Sequence, residues 1–394
     1  MCDGIYSMVP EEEMAPEARL RRQIYAITPN ADFLRTEFGY YSLEKWEADG
    51  KIPAGLDQWA PYGEWQQKNM YLQLDGNIYI YGAGGCSAEF YPAFETKVLE
   101  DRGDKLLIQD SAGCSVLVFK NAPASFMPEF VDHPVKDMAT WKELCEWRLD
   151  PNTPQRYVDM DKRIAEAKKW AAKGYMISQN VVGGYMYLRS LMGPVDLLYK
   201  FYDEPELIHA CMRKWLEIAD NAMAYNQKFL TIDEIRFQED ITYNKGPLIS
   251  PDMIQEFLFP YYKQLFDNCR KRQLDPTRKL YIQLDSDGFA ESVIPLYQSV
   301  GFNVFSPFEV ASGSDVVEIG KKFPDIVILG GIDKRKFSAT REELDAYLDG
   351  ILPVMKARGG YIPTCDHGVP EEANFENYVH FRKRVNDINV TNRI

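Results

Sequence analysis

From about residue 157 onward the chain alternates helices of ten or more residues with short apolar strands, and this rhythm restricts the fold more than any other feature. A helix between successive strands makes those strands parallel, and a parallel sheet needs both faces covered. The strands read as GYMISQN at 174–180, EIRFQ at 234–238, KLYIQL at 279–284, FNVFS at 302–306, DIVILGGI at 325–332 and GGYIP at 359–363. Between them come a helix ending near Trp170 and a long amphipathic helix from about Pro205 to Lys228. Ser250 reads as an N-cap with Pro251 at the first helical position, opening a helix toward Arg272. A helix around Ala290–Val300 follows, then one behind the Thr340-x-x-Glu343 capping box, and a last one at about 374–390. The pattern predicts an α/β protein: a (β/α)8 TIM barrel with an N-terminal helical extension and a β-hairpin excursion.

Residues 1–394 read as a single domain of this kind, with 1–60 as an N-terminal helical cap. Tyr40, Tyr41 and Trp46 supply the cap's packing face, and Gly55 and Pro61 break its helices. The excursion falls at 95–120, where Gly103 and Gly113 provide turn conformations that other residues resist. Residues 128–157 mix a short helix around Trp141 with proline-rich corners.

Composition narrows the function classes. No apolar run approaches the roughly 20 residues that cross a bilayer, and the N-terminus has no apolar signal segment, so a soluble cytoplasmic protein is expected. Seven cysteines without a CxxC pair read as reduced core thiols. The net charge of −14 leaves no basic stripe for nucleic acid, and no membrane partner is expected. Gly330-Gly331 and Gly82-x-Gly84-Gly85 lack the spacing of a phosphate loop. The sequence leaves assembly open, a homodimer included.

Chemistry-bearing residues recur at the carboxyl ends of the strands: Asn180, Glu239-Asp240, Asp285-x-Asp287, Glu309, Asp333 and Cys365-Asp366-His367. In a parallel barrel that rim gathers side chains from several strands into one cavity. Two like charges about 6 Å apart repel by roughly 3 kcal/mol at an effective dielectric near 20, so a metal, a cationic substrate or a retained proton must compensate. Asp285 and Asp287, two residues apart, would face one side and clamp an ion if the strand continued. Capping is the competing role for Asp240 and Asp366, and Asp333 has a second role as anchor of its own loop through Lys334-Arg335. His133, His209 and His380 fall on loops or helices and read as structural. Tyr243, Tyr185, Tyr187, Phe289 and Phe308 would wall an apolar pocket or pack the core.

The segments DPNTPQRY, EDITYNKGPLISPDMIQEFLFPYYK, DSDGFAESVIPLYQSVG, PFEVASGSDVV, GGIDK and DHGVPEEANFENY resemble, in order from about residue 95 to 390, the uroporphyrinogen decarboxylase superfamily. The resemblance is nearest to its decarboxylase-like, corrinoid-dependent methyltransferase branch and again implies a (β/α)8 barrel. It implies transfer of a methyl group between a small methylated substrate and a corrinoid cofactor on a partner protein. The zinc enzymes of that branch use a His-x-Cys pair and a later Cys; here Asp285-x-Asp287 replaces the pair and Cys365 matches the later Cys. Hard carboxylates in place of soft ligands disfavour a thiol acceptor and point to an ether or amine as methyl donor. The resemblance thus suggests zinc held by Glu239, Asp285, Asp287 and Cys365, with Glu239, Asp287 and His367 catalytic. Asn180, Tyr243, Asp285, Glu309 and Asp333 would bind substrate. A uroporphyrinogen-type decarboxylase and a non-catalytic ligand-binding barrel are the alternatives.

Overall fold

The structure, a computed structural model, describes residues 9–56, 80–83, 88–121 and 128–390. Cys2, Cys86, Pro61, Gly84 and Gly85 lie outside the described residues. The strands in chain order are β1 (Ile80–Ala83), β2 (Lys97–Arg102), β3 (Lys105–Gln109), β4 (Ser115–Phe119), β5 (Glu129–Asp132), β6 (Met176–Val182), β7 (Glu234–Gln238), β8 (Thr242–Tyr243), β9 (Gly246–Pro247), β10 (Tyr281–Asp285), β11 (Val304–Ser306), β12 (Val327–Leu329) and β13 (Tyr361–Ile362).

Seven of them form one parallel sheet in the order β1-β6-β7-β10-β11-β12-β13, so each strand pairs with the next one of the sheet along the chain. Helices return the chain between strands, and the protein has the (β/α)8-barrel architecture expected from the alternation. The excursion is a four-stranded antiparallel meander, β2-β3-β4-β5; its fourth strand, β5, falls in the segment read from sequence as short helix and corners. Ser250 Oγ accepts from the Met253 N–H, and Thr340 and Glu343 close their capping box. Five described cysteines, Cys114, Cys145, Cys211, Cys269 and Cys365, are free and buried. Among the described residues no helix is long and apolar enough to cross a membrane.

Strand alternation splits the core in two. Ile177, Val181, Ile235, Phe237, Ile282, Leu284, Phe305 and Ile328 face outward against Cys211, Trp215, Tyr262, Phe266 and the other apolar faces of the helix layer. Phe237 shows the density of this layer, with ring centroids of Tyr262, Phe302, Phe266 and Trp215 at 5.0, 5.3, 5.5 and 6.0 Å. Truncating such a ring to alanine costs about 3–5 kcal/mol.

The inward faces differ from end to end. At the amino ends of the strands Met176, Val304, Val327 and Ile362 pack with Leu20, Ile24 and Tyr25 of the helix Pro16–Tyr25, which plugs the floor. The segment expected as one cap therefore works at two ends. Its second helix, Leu43–Ala48, packs near the mouth, where Trp46 Nε1 donates to the Ala373 carbonyl.

Candidate active site

The period of two along β7 decides which acids reach the mouth. Glu234, Arg236 and Gln238 point into the lumen: Glu234 takes a hydrogen bond from Tyr25, and Arg236 donates to Asp285 at 2.6 Å. Ile235 and Phe237 face the helices, and Glu239 continues that outward face. It is fully buried, and its Oε1 accepts from Tyr262 at 2.6 Å and Tyr297 at 3.2 Å. Its Oε2 has no partner, and a Cβ on Gly183 would sit 1.6 Å from that oxygen, so only glycine fits there. Burial pushes the carboxyl up to about 8 against the opposing phenols. The expectation that Glu239 shares a site with Asp287 and His367 is thus corrected by alternation.

What does gather at the mouth is Asp240, Asp287 and His367. Asp240 has φ +39, a left-handed conformation that a non-glycine residue adopts at a cost of order 1–3 kcal/mol, and this turns its carboxylate back toward the next strand. The Asp287 N–H points to Asp240 Oδ1 at 3.4 Å. Desolvation, and then the Asp287 charge, raise the Asp240 carboxyl above its ordinary value. Asp287 Oδ2 lies 3.6 Å from His367 Nε2 and holds the imidazole above its usual value, opposed by burial and by Lys334. Tyr41 stacks on the His367 ring at 5.8 Å and Phe38 lies at 5.2 Å, so the N-terminal segment forms one wall.

Glu309 braces this cluster. Its Oε2 accepts from the Gly288 N–H at 2.9 Å and its Oε1 lies 3.4 Å from Lys334 Nζ, fixing the loop that carries Asp287. Gly288 has φ +82 and packs against the Tyr243 backbone, so no side chain fits there. Asp366 ties two further loops by accepting from the Val310 and Lys334 N–H groups. Asn180 projects into the mouth from β6, and the Tyr243 side chain is exposed on the β8–β9 hairpin.

Three expectations change, and one open alternative is resolved. Asp285 does not join Asp287 on one ion: it takes Arg236 on one oxygen and Ser306 Oγ, at 3.0 Å, on the other. Asp333 is committed to its own loop, accepting from Arg335 Nε and Nη2 at 2.9 and 3.0 Å. The Cys365 thiol faces the buried outer layer, and burial with Glu37 and Asp366 nearby pushes it well above its ordinary value. Tyr185, Tyr187 and Phe308 are core residues. Glu239, Asp285, Asp287 and Cys365 consequently do not make one ligand set, and among the described residues no three His, Cys, Asp or Glu side chains are placed to hold a metal ion.

The profile of the uroporphyrinogen decarboxylase (URO-D) family matches residues 115–388, well over half of the chain. The chain belongs to the URO-D family. A comparison with proteins of curated function returns no match. Among solved structures, a methyltransferase from Methanosarcina mazei is similar in fold at a TM-score of 0.53 and 12% identity, covering 93% of this chain and 98% of that one. A putative vitamin-B12-independent methionine synthase from Listeria monocytogenes (14% identity, 57% and 69% covered, TM-score 0.32) is too distant to bear on fold or chemistry. So is xylanase B from Clostridium stercorarium F9 (12% identity, 56% and 75% covered, TM-score 0.32).

Within this URO-D barrel, sequence reasoning missed Arg236, Gln238, Lys334, Phe38 and Tyr41 as mouth residues, and left Asp240 between cap and site. The polar alternation Glu234-x-Arg236-x-Gln238 was a readable signal of a polar lumen face. Nothing local marks Phe38 and Tyr41, which reach His367 only through the fold.

Proposed function

We propose that this URO-D family member is a methyltransferase that takes a small methylated substrate of ether or amine type into the barrel mouth. It passes the methyl group to a corrinoid carried by a partner protein. The observation that carries the reading is the contact of His367 with Asp287 beside Asp240, in the position where barrel enzymes gather their reacting groups.

The chemistry asked of the chain is modest. As the methyl group leaves toward the corrinoid, the heteroatom keeps the electron pair of the broken bond; an ether oxygen leaves as an alkoxide and needs a proton, whereas a quaternary ammonium leaves as a neutral amine and needs none. His367, whose charged form Asp287 favours through Nε2, donates that proton from Nδ1, the nitrogen turned away from the carboxylate, while Asp287 orients the ring and offsets its charge. Tyr41 and Phe38 keep the ring in place, and the imidazole recovers its proton from solvent. Among the described residues the carboxylates and the Cys365 thiol do not converge, so they do not form a zinc site.

The test is methyl transfer from a panel of methyl ethers and methylamines to a reduced corrinoid protein, followed by the corrinoid's absorption spectrum. Transfer that His367→Gln abolishes supports the reading; no transfer from any donor removes it. Decarboxylation is the second reading, favoured by Asp240 and Asp287 as paired acceptors for pyrrole N–H groups. It requires carbon dioxide release from a porphyrinogen without corrinoid.

A further inference from the structure

We infer that the barrel mouth seats a carboxylate-bearing ligand on Arg236, Asn180 and Gln238. The proposed methyl transfer enters only in what then lies at His367; the seat itself rests on the lumen geometry.

Barrel lumens are ordinarily filled by layers of branched apolar side chains, but here the layer beneath the rim is polar. Asn180 on β6 is in register with Arg236 on β7, and Val182 with Gln238, so the three polar side chains project from neighbouring strands into the same space. Each retains unused donors. The Asn180 and Gln238 side chains are exposed, with no side-chain hydrogen bond among the described residues. Arg236, at 35% side-chain exposure, commits Nη2 to Asp285, and its buried Nε has no partner. Asp285, fixed from its far side by Ser306, orients the guanidinium rather than consuming it.

Charge does not bar an anion. Below the seat, Glu234 is bonded by Tyr25, which Arg21 bonds in turn. At the rim each acid has its own base: Asp240 with Arg189 at 3.9 Å, Glu309 with Lys334, Asp287 with His367. Deeper in the lumen Glu234 Oε2 is buried without a partner, and above it lies a set of unmatched N–H donors around a planar cation, the arrangement that recognises a carboxylate. Asp285, which orients Arg236, and Asp287, which touches His367, leave the end of the same strand, so the seat and the imidazole share the mouth.

The experiment is calorimetric titration of the full chain, without corrinoid, using matched probes: methoxyacetate against 1,2-dimethoxyethane, glycine betaine against tetramethylammonium, and 4-methoxybenzoate against 4-methoxybenzyl alcohol. At least one carboxylate is expected to bind tenfold or more tightly than its carboxyl-free partner, and Arg236→Gln to erase that preference. Because Arg236→Gln strands Asp285 and threatens folding, Gln238→Glu serves as the second variant. It adds a negative charge at an exposed position and should weaken the carboxylate at least tenfold without weakening the carboxyl-free partner. No carboxylate binding to wild type, equal affinities within every pair, or a preference that survives both variants overturns the seat. A carboxylate preference without methyl transfer would leave the seat standing and remove the methyltransferase reading. Methyl transfer at equal kcat/KM from carboxyl-free donors would do the reverse.

Discussion

The two ends of the barrel use the same residue types to opposite effect. At the amino end Asp233 is almost fully buried, pairs with Arg278 and Arg22, and accepts the Ile177 N–H, so its charge is matched several times over. At the carboxyl end Asp287 is half-exposed, touches His367 at 3.6 Å, and lies beside another carboxyl. A cavity of about 540 Å³ lies at the amino end, lined by Arg19, Arg22, Asp233 and Arg278. The lesson is that saturation of charge, rather than its presence, separates a structural ion pair from a reactive one: a group with every lone pair occupied has nothing to offer a substrate.

The comparison breaks most visibly at the floor. Asp233→Ala leaves two arginines at the barrel base without their carboxylate and Ile177 without its acceptor, and should lower unfolding free energy by about 3–5 kcal/mol. Urea unfolding checks this through a lower midpoint at unchanged slope. A variant as stable as wild type would mean that the floor pairs are as dispensable as those at the mouth. His367→Gln is the counterpart at the other end. It should cost about 10²–10⁴ in methyl-transfer turnover while moving stability by no more than about 1 kcal/mol, read as kcat against melting temperature. Equal turnover would remove the imidazole from the chemistry.

Legibility followed the same divide. Periodicity, caps and turn glycines foretold six of the seven parallel strands and the meander, because those signals are local and the helices obey them. β1 went unread, and β5 was taken for corner and helix. Strand-end position assigned Asp287, His367 and Asn180 to the mouth, which is where the structure has them. It erred on Glu239, where one step of the two-residue period moves a side chain from the mouth to the helix layer. It erred again on Asp285, whose partner Arg236 lies 49 residues earlier and meets it only because β7 and β10 are neighbours. Cys365 carried a motif match, but its thiol is turned into the core.

Glu239 offers a sharper contrast with Asp287, since one is an acid sealed in the wall and the other an acid at the rim. With its carboxyl raised to about 8 from an ordinary 4.5, the folded protein keeps a proton that the unfolded chain releases. Stability should therefore fall as pH rises between those two values, by at most about 1.4 kcal/mol per pH unit, and flatten above. Glu239→Gln should remove that slope from a series of melts across pH. A slope unchanged in the variant would assign it to other groups.

The smallest effect expected is also the most specific to the mouth. Asp287 raises the His367 pKa, so the imidazolium persists to higher pH than in free histidine, and activity that needs the proton is lost as pH rises through that raised value. In Asp287→Asn the charge is gone while the shape is kept. The His367 pKa falls, and the alkaline limb of kcat/KM moves to lower pH, while turnover on the acid side stays within a few-fold of wild type. A proton NMR titration of the His367 ring should move in parallel. A limb that stays in place while the NMR titration shifts would mean that the proton delivered to the leaving atom comes from another group. Asp240 would then be the first to test, because its carboxyl is raised by desolvation and faces the same opening.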